Sequence, residues 1–242
     1  MLKSKFKKVL SFSFLLLLIT DSAVSTNQPN DPGADKSRAF ATVTKVALNK
    51  NAKKFVANYI QKNNQGLSVI KKNSYATFTM IDSVFNSYGL PVELKYLAVI
   101  ESELNAQAVS PVGAAGPWQL MPKTAQILGL KVTSKYDERT HYKKSTKAAA
   151  IYLRDLYAEF GDWLLVVAAY NSGPGPVYAA MRESGSKNFW KLQYHLPAES
   201  RDHVKKFIAT HYYFEGDGSI ATLTKAERLA YVSSLSPEVA VR

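Results

Sequence analysis

Apolar residues recur at intervals of three and four along most of the chain from residue 38 onward, which is the spacing of one helix face. Two such faces consist of Phe55, Tyr59 and Ile60, and of Phe78, Ile81, Val84 and Phe85. Few stretches alternate between apolar and polar residues with a period of two, so strands should be minor. The pattern therefore predicts an all-α chain with minimal strand.

Capping and helix-breaking residues set the limits of the other predicted helices. Three helices are predicted over residues 91–104, 145–160 and 198–213. Pro91 suits a first helical position, where its missing N–H costs little. Ser145 is the predicted N-cap of the second helix, and Asp162 caps a fourth helix that runs from Trp163 to Tyr170.

The first 25 residues have a different pattern from the rest of the chain. Four lysines within the first eight residues precede a largely apolar run over residues 9–19, and the small residues Ala23 and Ser25 follow. This order is typical of a secretory signal. The alternative is a membrane anchor, but the run is short for a hydrocarbon core of about 30 Å. Residues 26–37 are polar, contain Pro and Gly, and are typical of a linker.

The net positive charge of the chain favours an anionic binding partner but does not identify it. The formal net charge is +12, and residues 1–25 contribute four lysines and Asp21, so the remainder carries +9. A basic exported protein usually meets an anionic partner, and nucleic acid, anionic lipid and cell-wall polymer all fit that description. The sequence contains no cysteine, so packing rather than disulfides must hold the exported fold.

One carboxylate falls inside an apolar helix face. Leu94, Leu97, Ala98 and Leu104 share one face of the predicted helix over residues 91–104, and Glu101 lies in the middle of that face. An apolar setting disfavours the ionised form of a carboxyl group, and a protonated acid can supply a proton to a leaving oxygen. The alternative is a buried glutamate that is paired with an arginine or held by backbone donors.

A glycine-rich segment follows this helix. Gly113 and Gly116 flank two alanines within residues 110–122, and such a loop brings backbone close to a ligand. Trp118 and Gln119 would supply a stacking surface and an amide there. Taken alone, a Gly-Ala loop also joins helices that have no further role.

Three segments in a fixed order carry a resemblance. The first is Ile100-Glu101-Ser102 followed by Ser110-x-x-Gly113-Ala114-x-Gly116-x-Trp118-Gln119-x-Met121-Pro122, the second is Ala168-Ala169-Tyr170-Asn171-Ser172-Gly173, and the third is Leu196-Pro197-Ala198-Glu199-Ser200. Together they resemble the motifs of the family-1 lytic transglycosylases over about residues 52–214. The segment Asp137-Glu138-Arg139 also resembles the membrane-bound type D branch of that family.

The chain departs from the family pattern at three positions near these motifs. Pro117 stands where a flexible or aliphatic residue is common, Ser200 replaces Thr, and His203 stands where Tyr is frequent. These changes leave the acid in place and affect the contacts around it.

The resemblance implies a goose-lysozyme-like helical catalytic domain that cleaves the β-1,4 bond between N-acetylmuramic acid and N-acetylglucosamine. Glu101 would protonate the leaving oxygen, the muramic acetamide would attack its own anomeric carbon, and the C6 hydroxyl would close a 1,6-anhydro ring. The implied organisation is a signal peptide (1–25), a linker (26–45), an N-terminal helical segment (46–90), the catalytic domain (91–215) and a C-terminal tail (216–242). The motifs hold no obvious partner carboxylate for Glu101.

The resemblance also implies a set of residues that bind the substrate. These residues are Ser110, Gln119, Met121, Tyr170, Asn171 and Glu199. The alternatives are a turn cap for Ser110, a core position with a satisfied hydroxyl for Tyr170, and a helix-dipole role for Glu199. Asp137 and Glu138 are the next candidates for the catalytic acid after Glu101, although their position in a loop suggests a structural pair with Arg139.

No metal or cofactor is expected. The four histidines, His141, His195, His203 and His211, lack metal-ligand spacing and are expected at the surface or in structural positions. Peptidoglycan is the expected partner, with no nucleic acid and no membrane span after signal cleavage. The family points to a Gram-negative periplasm, with outer-membrane association left open. The rival functions are a hydrolytic goose-type muramidase, an inactive glycan-binding module and a basic nucleic-acid binder.

Overall fold

Helices make up nearly all regular structure in the computed structural model, which describes residues 45–235. The predicted signal over residues 1–25, nearly all of the linker over residues 26–45 and the end of the tail lie outside the described residues. The ten α-helices within residues 45–235 are α1 (Lys53–Asn73), α2 (Tyr75–Ser87), α3 (Tyr96–Ser102), α4 (Pro122–Ile127), α5 (Tyr142–Phe160), α6 (Trp163–Ser172), α7 (Pro174–Ser184), α8 (Phe189–Leu192), α9 (Ala198–Glu215) and α10 (Lys225–Leu235).

Short 3₁₀ turns and isolated bridges complete the described structure. The 3₁₀ turns are Val92–Lys95, Glu138–Thr140 and Ile220–Thr222. Between residues 45 and 235, strand pairing is limited to isolated bridges, such as those of Ala115 with Val109 and with Leu120. The prediction of an all-α fold with minimal strand is therefore confirmed. No helix of the described residues is long and apolar enough to cross a membrane.

Helix α6 lies at the centre of the core because it is apolar on every side. Every residue from Trp163 to Tyr170 is buried, and α6 packs against α5, α7 and α9. Asp162 caps α6 as predicted, since its Oδ1 accepts hydrogen bonds from the backbone N–H groups of Leu164 and Leu165 at 3.0 and 3.3 Å. The other carboxylate oxygen accepts the N–H of Lys225 at 2.6 Å, which fixes the start of α10.

The two N-terminal helices pack on the same core. Helix α1 lies against α9, and α2 lies against α5 and the 3₁₀ turn Val92–Lys95. Ile81, Val84 and Phe85 of the predicted α2 face are buried, and the partly buried Phe78 packs against the same core. The small side chains of residues 148–150 in α5 are buried, as their expected role in close helix packing requires.

The helix that carries Glu101 is shorter than the sequence pattern predicts. It begins as the 3₁₀ turn Val92–Lys95 and ends at Ser102, because Glu103 and Leu104 have left-handed backbones with φ of 55° and 64°. The N–H of Leu104 reaches back to Ala98 O at 3.2 Å, which closes the helix end without a glycine. Each left-handed non-glycine residue costs about 1 kcal/mol, and burial of the Leu104 side chain offsets that cost.

The predicted cap of α5 is also wrong. The helix begins at Tyr142, three residues before the predicted start, and His141 is its N-cap through Nδ1, which accepts the N–H of Lys144 at 3.4 Å. Ser145 lies inside the first turn, where its hydroxyl donates to the carbonyl of His141 at 3.0 Å. A histidine cap is less common than a serine cap, so the pattern favoured the wrong residue.

Candidate active site

All seven predicted site residues line one cleft of about 440 Å³. They come from α3, the following loop, α6 and α9, and they are Glu101, Ser110, Gln119, Met121, Tyr170, Asn171 and Glu199. Tyr152 of α5 lies among them, and sequence patterns gave no signal for it. The cleft therefore brings together residues from all three sequence motifs.

Glu101 lies in the last full turn of α3, at the edge of the core. The four apolar residues predicted to share its face are buried, and 15% of the Glu101 side chain is exposed. Its Oε1 lies 3.3 Å from Nε2 of the buried His203. Ser102 links this helix end to the loop, because its hydroxyl donates to the carbonyl of Pro117 at 2.9 Å.

Ser110 both stabilises the loop and faces the cleft. Its Oγ accepts the N–H of Ala114 at 2.9 Å, and its own N–H donates to the carbonyl of Ala114 at 2.8 Å. Since Oγ acts as an acceptor in this contact, the hydroxyl proton remains available as a donor in the cleft. The turn-cap alternative is therefore confirmed as a contact, and it is compatible with ligand binding.

Gln119 has used both of its amide donors inside the protein. Its Nε2 donates to Gly116 O at 2.9 Å and to Ala108 O at 3.2 Å, and its backbone is left-handed with φ of 46°. The amide oxygen is the group left for a ligand, so Gln119 can accept a hydrogen bond but has no free donor. Met121, which is 43% exposed, adds apolar surface beside it.

A buried arginine holds the loop in place from behind. Arg139 donates through NH1 to the carbonyls of Gly113 and Leu120 at 2.7 and 2.8 Å, and its NH2 lies 2.6 Å from Asp137 Oδ2. The guanidinium of Arg139 holds the pKa of Asp137 below its usual range. Glu138 pairs with Lys144 and accepts the N–H of Lys131. Both alternative candidates for the acid, Asp137 and Glu138, therefore have structural partners, and neither lines the cleft.

Tyr170 stays neutral, and its hydroxyl is already bonded. Burial, followed by the nearby charge of Glu101, raises the pKa of Tyr170 well above its usual value. The hydroxyl donates to the carbonyl of Trp118 at 2.8 Å, so the contact described by the alternative, a satisfied hydroxyl, is present. Its oxygen can still accept a hydrogen bond on the side that lines the cleft.

Asn171 connects the second motif to the third. Its Oδ1 accepts the Ser200 hydroxyl at 2.8 Å, which leaves the Asn171 amide N–H₂ available as a donor. Ser200 therefore supplies the hydroxyl that a threonine at this position would supply. Glu199 precedes Ser200 and lies exposed at the cleft, so a second carboxylate lines the same cavity as Glu101.

Trp118 does not have its expected role as a stacking surface. Its side chain is fully buried, its Nε1 donates to Thr146 Oγ1 at 2.9 Å, and its ring centroid lies 5.5 Å from that of Phe85. A large apolar ring gains more from burial beneath the loop than from exposure at the rim. Trp118 therefore stabilises the loop from below and offers no face to a sugar.

The histidines divide into two groups. His141 caps α5, His195 lies at the surface 3.4 Å from Glu183, and His211 is buried with its Nε2 2.9 Å from Ser219 Oγ, as expected for structural or surface residues. His203 differs from that expectation, because it faces Glu101. The signal available in the sequence was its position just after the third motif, where the family frequently has Tyr.

Comparison with known proteins agrees with this arrangement. The family model of the transglycosylase SLT domain matches residues 81–193. The membrane-bound lytic murein transglycosylase D of Escherichia coli strain K12 is 42% identical over 126 residues, which cover 50% of this chain and 27% of that protein. A putative tributyltin chloride resistance protein of an Alteromonas strain is 38% identical over 100 residues, covering 41% of this chain and 48% of that protein.

Solved structures show the same fold. The 70-kDa soluble lytic transglycosylase of Escherichia coli has a TM-score of 0.50 at 28% identity, covering 60% of this chain and 26% of that one. The 70-kDa soluble lytic transglycosylase in complex with bulgecin A has a TM-score of 0.56 at 20% identity, covering 71% of this chain and 32% of that one.

These findings show that the chain shares the lysozyme-like helical fold of solved lytic transglycosylases. Residues 81–193 match the family model of the transglycosylase SLT domain, which confirms the resemblance carried by the motifs. The chain spans about a quarter to a half of the length of these curated relatives.

Proposed function

We propose that the protein is a peptidoglycan lytic transglycosylase that cleaves the bond between N-acetylmuramic acid and N-acetylglucosamine and leaves 1,6-anhydromuramic ends. The observation that carries the proposal is the convergence of Glu101 with polar side chains from all three motifs in one cleft. A peptidoglycan substrate agrees with the relatives, which are named as murein transglycosylases.

In the proposed first step, Glu101 gives its proton to the glycosidic oxygen as the bond to the anomeric carbon breaks. The acetamide oxygen of the same muramic residue attacks that carbon, and the leaving chain departs with a free 4-hydroxyl. Gln119 Oε1 and the Asn171 amide N–H₂ are the acceptor and the donor that the cleft offers to the sugar. Ser110 contributes a hydroxyl proton toward the acetamide.

In the second step, the Glu101 carboxylate takes the proton of the C6 hydroxyl, and the C6 oxygen displaces the acetamide from the anomeric carbon. Glu101 recovers its proton, and no water is consumed. A single carboxyl group thus acts first as acid and then as base, which is the pattern of a substrate-assisted exception to the two-carboxylate glycosidases.

Hydrolysis is the second candidate because Glu199 places another carboxylate on the same cleft. A goose-type muramidase would use such a group to activate water, and its products would carry reducing ends. Digestion of purified wall in ¹⁸O water separates the two reactions. We expect new muramic ends that are lighter by one water and free of ¹⁸O, whereas labelled reducing ends would establish a hydrolase.

The role of Glu101 is tested with a matched pair of variants. Glu101→Gln removes the proton but keeps the shape, so wall cleavage should fall by about 100-fold or more. Glu103→Gln is the control, because Glu103 is an exposed neighbour that does not line the cleft. Near-normal cleavage by a folded Glu101→Gln protein, with intact wall binding, would refute the assignment.

We also propose a periplasmic location. The predicted signal over residues 1–25 supports export, and the relatives named as membrane-bound murein transglycosylases support contact with the cell envelope. The remaining charge of +9 favours attraction to the carboxylates of the wall peptides. Fractionation of cells that carry a tagged chain tests the location, and a cytoplasmic pool of uncleaved protein would contradict it.

A further inference from the structure

A histidine with a free ring nitrogen lies against the proposed acid. His203 is on α9, 8% of its side chain is exposed, and its Nε2 lies 3.3 Å from Glu101 Oε1. Within residues 45–235, this nitrogen makes no hydrogen bond of good geometry. A buried polar nitrogen without a partner is costly, so its position beside a carboxyl group requires an explanation.

The contact favours one arrangement of the acid. If Nε2 carries its hydrogen and donates to Oε1, then Oε1 serves as the carbonyl oxygen, and the acidic proton is placed on Oε2. The separation of 3.3 Å is longer than an ideal bond, and catalytic hydrogen bonds commonly tighten when substrate binds. When Glu101 becomes a carboxylate, the same N–H faces a negative charge, and the bond strengthens.

Other ionisable groups around His203 are neutral or in contact with solvent. They lie on the helices that pack against α9, and on α9 itself: Tyr59 and Lys62 of α1, Glu103 of α3, Tyr170 of α6, and Glu199, Arg201, Asp202, Lys205 and Lys206 of α9. Burial raises the pKa of both Tyr59 and Tyr170, so they stay uncharged. Water screens the remaining groups, which leaves Glu101 as the closest charge partner of the imidazole.

We propose that His203 is a positioning residue for Glu101: its Nε2–H orients the carboxyl group for proton transfer and stabilises the carboxylate between the two steps. The catalytic meaning of this pair rests on the proposed function, whereas the pairing itself is a property of the free protein. No net proton leaves the pair, since Glu101 regains from the C6 hydroxyl the proton it gave to the leaving oxygen.

Steady-state kinetics on soluble glycan strands test the positioning role. His203→Phe keeps a planar ring but removes the hydrogen-bond donor. We expect kcat to fall by about 10- to 100-fold, because that factor corresponds to the loss of a hydrogen bond to a charged group. KM should change by less than about threefold, because the donor does not contact the substrate. His203→Gln restores a donor and should recover part of kcat. If folded His203→Phe and His203→Gln proteins both keep the wild-type kcat and pH profile, the proposal is wrong.

Ring nitrogen NMR on the free protein tests the pairing without any activity. We expect Glu101→Gln to shift the His203 Nε2 resonance at a fixed pH, because the group that the ring nitrogen contacts has changed, and Glu103→Gln to leave it unchanged. An unchanged resonance in both variants would overturn the pairing. If Glu101→Gln changes the His203 resonance but the wild-type protein does not cleave wall, the proposed function is wrong and the pairing of His203 with Glu101 is still supported.

Discussion

Gly116 is the point at which the cleft loop touches the segment behind it. A β-carbon added to Gly116 would lie 1.9 Å from the carbonyl oxygen of Arg139 and 2.6 Å from its carbonyl carbon, and the backbone of Gly116 is left-handed with φ of 79°. Gly113 in the same loop has a similar φ of 86°, but a β-carbon there meets nothing within 4 Å. Alanine variants at the two glycines therefore distinguish the cost of backbone strain alone from the cost of strain together with steric contact.

The expected costs follow from these distances. Gly113→Ala adds only a left-handed alanine, at about 1 kcal/mol. Gly116→Ala adds the same strain and also drives the loop away from Arg139 by more than an ångström. That movement weakens the bonds from Arg139 to the carbonyls of Gly113 and Leu120, each worth about 1.5–3 kcal/mol as bonds from a charged group. We therefore expect a loss of about 3–5 kcal/mol for Gly116→Ala.

Thermal and urea unfolding of both variants measure the difference. For a protein of this size, 1 kcal/mol corresponds to about 2–4 °C in Tm, so Gly113→Ala should lose about 2–4 °C and Gly116→Ala about 10 °C. Wall cleavage at a temperature where both variants are folded should fall more for Gly116→Ala, because the same loop carries Ser110 and Gln119. Equal losses of Tm in the two variants would refute the claim that contact with Arg139 restrains the loop.

Two further predictions concern pH and salt. Burial lowers the pKa of His211 to about 4. Between pH ~6.5 and 4, the unfolded state therefore binds a proton that the folded state does not bind. About 3 kcal/mol of stability should be lost as pH falls through that range. Urea unfolding of His211→Gln at pH 7 and 4.5 should show a smaller loss, and parallel pH curves for the two proteins would contradict this account. Binding of residues 26–242, with a charge of +9, to insoluble wall should weaken as salt rises, since salt at physiological strength screens charges beyond about 8–10 Å. Retention that is independent of salt in a pull-down would show that sugar contacts dominate.

The sequence by itself determined the features that depend on near neighbours along the chain. The apolar face around Glu101 and the cap formed by Asp162 are both present as predicted. Periodicity and capping act within one or two helical turns, so they can be recognised from adjacent residues. The ordered motifs also predicted the membership of the cleft, which the fold then assembled.

Tertiary structure decided which atoms of those residues remain free for chemistry. Trp118 is buried under the loop, and the amide donors of Gln119 are taken by backbone carbonyls, although both residues belong to the motif. His203 meets Glu101 only because α9 packs against α3, a contact between residues about one hundred positions apart. Such pairings depend on how whole helices bury their apolar faces, and no local pattern encodes the distance between two side chains on different helices.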